Sequence, residues 1–231
     1  DDHDMSDDWN ISYSWLEEMR GRTWWHRRAV DCITSYWIYQ HLGNLSPAEL
    51  DASEVYGEVR GNQQASELLR SWADRIDVDA SGSRWSFYRD FGRTRAVFID
   101  SRAGRVLKPD KRAIVDAGEW DWIVEHCRGD FDHLLLATTV PFLLSPAFDR
   151  LEAWNERLCE GAWGRLVARG SELLRREVDF DHWAAFQDSF AAMRDLLASL
   201  AAGELGPAPK SIVLLSGDVH HAYLCELGLP G

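Results

Sequence analysis

The chain of 231 residues holds 45% hydrophobic residues, 12 tryptophans and a formal net charge of −13. That length suits one large domain able to bury most of its apolar surface, and the surplus of 38 acidic over 25 basic residues excludes a nucleic-acid backbone as partner, since no basic stripe offsets it. An anionic substrate would need a local cation to draw it in. The four cysteines, Cys32, Cys127, Cys159 and Cys225, form no CxxC and read as free, buried thiols rather than a disulfide framework. No apolar run is long enough to cross a membrane and no signal peptide is visible. The chain opens on an acidic cluster without methionine. We read it as a stretch of a longer protein, with further strands and any targeting signal upstream; on this stretch alone a cytoplasmic location is expected.

Residues 1–10, DDHDMSDDWN, are too acidic for a strand or helix interior and read as a loop leaving an upstream strand. Six carboxylate or imidazole groups in eight residues repel one another unless a cation sits among them. Asp8 or Asn10 could cap a helix that follows. From Thr23, the expected cap, to Leu42 apolar residues recur at three-to-four spacing, an aromatic-striped helix stopped by Gly43-Asn44. Ser46-Pro47 opens a short helix, and 63–75 forms another. The runs 85–91 and 94–99, linked by Gly92-Arg93, read as an antiparallel hairpin.

The second strand ends in Asp100-Ser101-Arg102, and polar residues at such an end are where α/β folds place their sites. Arg102 offers a planar fork suited to a phosphate; an Asp100–Arg102 or Asp100–Arg105 pair holding the loop is the structural alternative. A helix is expected over 116–127, a buried strand over 133–140, and helices over roughly 146–160, 163–178 and 183–202. The second of these is charged enough for a solvated insertion or lid, and Asp181 would cap the third.

The last apolar run, Ser211 to Leu215, reads as a buried strand that runs into Ser216-Gly217-Asp218-Val219-His220-His221. Side chains two apart on an extended backbone point the same way, so Asp218 and His220 can converge on one point. A carboxylate and an imidazole at a strand end are the donors a metal needs. The alternation of strands and helices fits an α/β fold with a metal site above the sheet.

The opening Asp1-Asp2-His3-Asp4 and the closing Ser216-Gly217-Asp218-Val219-His220-His221 resemble two signature blocks of the PhoD-like alkaline phosphatases, within the calcineurin-like metallophosphoesterases. Asp100-Ser101-Arg102 and Asp181-x-Trp183 are similar to further blocks of that family, and together they span nearly the whole chain. The resemblance implies part of a four-layer α/β/β/α sandwich, 1–231 forming one incomplete domain with a helical insertion at about 146–202. It implies hydrolysis of a small phosphate ester at two or more metal ions, among Ca²⁺, Fe³⁺, Mn²⁺ and Zn²⁺, the carboxylate-rich donors favouring the harder ions. On that reading Asp2, Asp218 and His220 are metal ligands, Asp7 is a further candidate, and His3 is the general acid. Arg102 contacts the substrate, while Asp1 and His221 support the ligands. The family's first metal-binding block and its Gly-Asp-x-x-x-x-Asp block do not occur in the chain, so about half of a two-metal centre is expected here, inactive alone. The competing readings are a non-catalytic interaction module on a degenerate metallophosphatase scaffold, and another metal-dependent hydrolase sharing only the Asp-x-His end.

Overall fold

The computed structural model describes residues 5–80, 83–108, 111–219 and 221–228. Its mixed α/β architecture follows from two kinds of apolar pattern, one at strand period and one at helix period. Strands β1 (Phe87–Phe91), β2 (Thr94–Ile99), β5 (His133–Thr138) and β6 (Ser211–Ser216) form a four-stranded sheet in the order β1-β2-β5-β6. The β1–β2 hairpin is antiparallel, as the Gly92-Arg93 link predicts, and β2, β5 and β6 run parallel. A separate hairpin, β3 (Val106–Lys108) with β4 (Lys111–Ala113), has no counterpart in the sequence expectations; three-residue strands carry too few alternations to register.

Alternation along the strands makes two different sheet faces. Val97, Ile99, Leu134 and Leu136 point to one side and are buried against helices α7 (Ala117–His126) and α10 (Gln187–Ala201), where Ile123, Met193 and Leu197 meet them. On the other side Phe87 stacks on Phe98 with ring centroids 4.4 Å apart. There β6 departs from the expected buried strand. It is a sheet edge, with Val213 and Leu215 37% and 48% exposed.

A second apolar cluster is built by the N-terminal helices α1 (Tyr13–Arg20), α2 (Trp25–Tyr36) and α6 (Ala65–Val78), with Trp15, Trp25, Ile33, Trp37, Leu69, Ile76 and Trp85 buried together. The expected helix over 23–42 is real but not uniform. After α2 it widens into a π-helical turn, Trp37–His41, and closes as α3 (Leu42–Asn44). Its cap is Trp24, with no side-chain hydrogen bond, rather than Thr23, and Tyr39 of the aromatic stripe is 84% exposed. Likewise neither Asp8 nor Asn10 caps α1. Both turn through the left-handed region (φ 61° and 59°), and Ser12 accepts from the Trp15 N–H instead. The Ser46-Pro47 start is a full capping box with Glu49, opening α4 (Pro47–Ala52), which α5 (Glu54–Val59) follows.

Helices α8 (Pro146–Cys159) and α9 (Arg165–Glu177) pack on each other, Asn155 donating to the Ser171 carbonyl at 3.0 Å. Of the charged segment expected as a solvated insertion or lid, Arg165, Arg169 and Glu177 are exposed, while one face is docked. Arg175 is 2% exposed, Glu172 accepts from Ser14 at 2.7 Å, and Arg176 pairs with Glu18 at 2.7 Å. Of the cysteines Cys127 is buried, Cys225 is exposed, and Cys32 and Cys159 lie between. None of the helices among the described residues is long and apolar enough to cross a membrane.

Candidate functional site

Parallel pairing sets the site. Ile99, Thr138 and Ser216 stand in one register row, so the residues that follow them emerge side by side at the carboxyl ends of β2, β5 and β6. Ser101 Oγ lies 2.6 Å from Thr139 Oγ1 and accepts from the Thr139 N–H at 3.1 Å, and the Gly217 N–H donates to the Thr139 carbonyl at 3.3 Å. The three strand ends are thereby tied into one ledge.

Asp100 begins that ledge but pairs with neither arginine. Its carboxylate accepts from the backbone N–H groups of Arg102, Ala103 and Gly104, each at 2.9 Å, and so folds the turn around itself. Both arginines turn elsewhere. Arg102 donates through Nη1 to Asp181 Oδ2 and through Nη2 to Asp218 Oδ2 at 2.8 Å, joining residues 79 and 116 positions away. Arg105 donates to Asp181 Oδ2 at 3.2 Å, to the Asp181 carbonyl at 2.8 Å and to the Ser101 carbonyl at 2.7 Å. Asp181 is thus the hub of a buried ion cluster and not a helix cap. The expected helix over 183–202 begins with a short 3₁₀ turn, Trp183–Ala185, breaks at Phe186, and resumes as α10.

Burial alone would raise the Asp181 carboxyl, but Arg105 and Arg102 outweigh it and hold the pKa below the usual carboxylate value. Beside it His182 Nδ1 lies 2.8 Å from the fully buried Glu152 Oε1. Burial raises the Glu152 pKa; for His182 burial acts downward, yet Glu152 and Asp181 leave the imidazole raised. Trp183 Nε1 donates to Thr138 Oγ1 at 3.2 Å and so seats this segment on the β5 end. The sequence offers Arg105 only as a partner for Asp100, and the Glu152–His182 pair does not stand out in it. An Arg three residues after Arg102 and an acid on a helix carry no pattern until the fold brings them together.

Of the expected site residues, Arg102 and Asp218 meet, 3% exposed and with a side chain 17% exposed respectively. Asp218 stands in the left-handed region at φ 67°, at the turn leaving β6. Asp7 is exposed, and neighbouring Asp8 is hydrogen-bonded to Asp179; burial first, then Asp179, Asp7 and Asp181, push Asp8 up to about 7. His221 is exposed, its Nδ1 2.6 Å from the Val219 carbonyl. Asp1, Asp2, His3 and His220 lie outside the described residues.

Among the described residues no group of three or more His, Cys, Asp and Glu side chains is disposed to hold a metal ion. The Asp218 oxygen that faces Arg102 is a poor donor for a second cation, because like charges a few ångströms apart repel strongly in a poorly solvated site. The ledge opens on a cavity of about 930 Å³ lined at this end by Asn10, Asp100, Arg102, Thr138 and Thr139, and farther on by aromatic side chains such as Tyr36, Trp85 and Phe98.

Gly104 is pressed against this turn. A Cβ there would stand 2.8 Å from Glu119 Oε2, and Glu119 is itself buried and accepts from the Ser86 N–H at 3.2 Å. Gly104→Ala is expected to cost about 1–3 kcal/mol through this overpacking, read as a lower urea midpoint with unchanged m-value. A midpoint equal to that of the unmodified protein would show that the carboxylate yields freely.

Glu119 also makes stability depend on pH. Burial first, then the charge of Asp100, raise its carboxyl to about 7 against 4.5 unperturbed. Between those values the folded state holds a proton that the unfolded state has released, so stability falls as pH rises from about 4.5 to 7 and levels off above. In Glu119→Gln the fall in urea midpoint between pH 5 and pH 7.5 is expected to be smaller. An identical fall would assign the effect to other groups, Glu156 among them, which burial raises to about 7.

In comparisons with family models, curated proteins and solved structures, the chain finds no match.

Proposed function

We propose that the protein is a PhoD-like metallophosphoesterase that hydrolyses a small phosphate ester, its described residues forming part of an α/β/β/α sandwich. One observation carries the reading. Three blocks that resemble that family, Asp100-Ser101-Arg102, Asp181-x-Trp183 and Ser216-Gly217-Asp218, are far apart in the chain yet meet through the single guanidinium of Arg102. They meet at the carboxyl ends of parallel strands, where α/β enzymes bind ligands.

Bound metal ions would supply Lewis acidity and an activated water; their expected donors, Asp2, Asp218 and His220, with Asp7 a further candidate, are assigned by resemblance. On this reading Arg102 orients an anionic ester, and Asp181 fixes the direction of its fork. Thr138 and Thr139 line the cavity at the ledge, and the buried Ser101 hydroxyl holds that of Thr139. Arg102→Ala tests the assignment on a panel of phosphate mono- and diesters. A raised KM with the fold retained supports it, whereas unchanged kinetics would remove Arg102 from substrate contact.

The second reading, a non-catalytic interaction module on the same scaffold, is favoured by one fact. Both arms of the Arg102 fork are already engaged by carboxylates. Absence of hydrolysis across the ester panel, with metal supplied, would select it.

A further inference from the structure

A second cavity, of about 900 Å³, adjoins the far end of the first, with which it shares Ile76 and Trp85, and lies between the π-helical turn, α5 and α6. That volume is within the range of small-molecule sites. Its wall is a run of rings in contact: Trp37 and Trp72 have centroids 6.2 Å apart, Trp72 and Trp85 5.8 Å, and Trp85 and His41 4.8 Å. Trp37 and His41, four apart and so on one helix face, open and close the π turn, and such wide turns recur at functional sites. Trp37 Nε1, Trp85 Nε1 and His41 Nδ1 are buried with no hydrogen-bond partner. Buried polar atoms are nearly always satisfied, so three together in one wall call for a ligand or water to complete them.

The charges around this wall have one sign in excess. Glu54 and Glu58, one turn apart on α5, are exposed and line the cavity, as does Asp74 from α6. The two lining arginines are drawn elsewhere: Arg84 lies 4.7 Å from the Trp122 ring and 3.7 Å from Glu49, and Arg75 donates to the Ser71 carbonyl. His41 adds no positive charge at neutral pH, since burial, with Arg84, pushes it down to about 4. Tryptophan rings that meet edge to face or tilted, with carboxylates at the rim, attract a cation whose charge is diffuse and whose hydration is weak.

We propose that this cavity binds a small quaternary ammonium of the choline class, its methyl groups against the tryptophan wall and its positive charge toward the rim carboxylates. The site is independent of the phosphoesterase reading. A quaternary nitrogen has no N–H to satisfy, so it suits a wall of rings better than a primary amine does.

Calorimetric titration of the full chain with choline chloride tests the assignment, beside 3,3-dimethyl-1-butanol, the uncharged analogue of the same shape. Saturable choline binding, at least roughly tenfold tighter than the neutral analogue, is expected from cation–π attraction. Trp72→Ala should weaken it by about tenfold. Because that variant could lose its fold, the rim variant Glu54→Gln/Glu58→Gln, on an exposed helix face, is measured in parallel; it should bind several-fold more weakly and with less dependence on salt. No saturable binding, equal binding of the neutral analogue, or unchanged affinity in the folded rim variant would overturn the proposal.

Discussion

Replacing Asp181 with alanine is expected to destabilise the protein by roughly 3–5 kcal/mol, the cost of leaving buried charges without their partner. Asp181, Arg102 and Arg105 are 3%, 3% and 7% exposed, so water cannot take over the missing carboxylate. The loss should appear as a large drop in urea midpoint. The exposed pair Arg95–Asp90, although bidentate at 2.7 and 2.8 Å, sets the contrast: Asp90→Ala should cost less than about 1 kcal/mol. Equal losses at the two sites would mean that the buried cluster is no more than another surface pair. The sign with pH is also fixed. A carboxyl held below its usual value contributes stability that is present above the unfolded pKa and is lost as pH falls through the folded one. The advantage of Asp181 over alanine should therefore shrink only in acid.

The second large effect concerns turnover. If His3 donates the proton to the leaving oxygen, His3→Ala should lower kcat by roughly 10²–10⁴ in the full-length protein, and the acid limb of the pH–rate profile should change with it. An ester with a good leaving group, which needs no protonation, should be affected far less. An unchanged kcat would give His3 a structural role.

Much of the fold was legible because its periods are clean. Thr94–Ile99 and His133–Thr138 are continuous apolar runs with turn residues at their ends, and Ser145-Pro146 and Asp116 mark helix starts by chemistry that acts within four residues. What the sequence hid is non-local. Asp181 precedes a helical pattern and has the ideal residue type for a cap, yet two arginines from the β2 end claim its carboxylate at a distance no window spans. Val213 and Leu215 read as buried by composition, but burial depends on what lies beside a strand, and β6 is an edge. The charged segment of α9 reads as solvated because the contact of Glu172 with Ser14 on α1, beside which Arg175 pairs with Glu172 and is buried, lies outside any local window.

The site was legible in part for the same reason. Strand ends are visible in sequence, so Asp100, Arg102 and Asp218 were singled out. Their mutual arrangement was not visible, because it depends on the parallel register that sets Ile99, Thr138 and Ser216 level. The aromatic stripe of α2 reads as core, and Trp25 and Ile33 are core. Trp37 and His41, at its π-helical end, also line a cavity.

The central claim is a metal-dependent phosphoesterase closed on one side by Asp218 and His220. It is tested most directly by elemental analysis of the full-length protein and of its His220→Ala variant, each purified without chelator and assayed on the same phosphate ester. Stoichiometric metal in the parent, with metal and hydrolysis lost together in the variant, is the predicted result. Full metal occupancy in His220→Ala, or hydrolysis by the parent that survives removal of metal with a chelator, would contradict it.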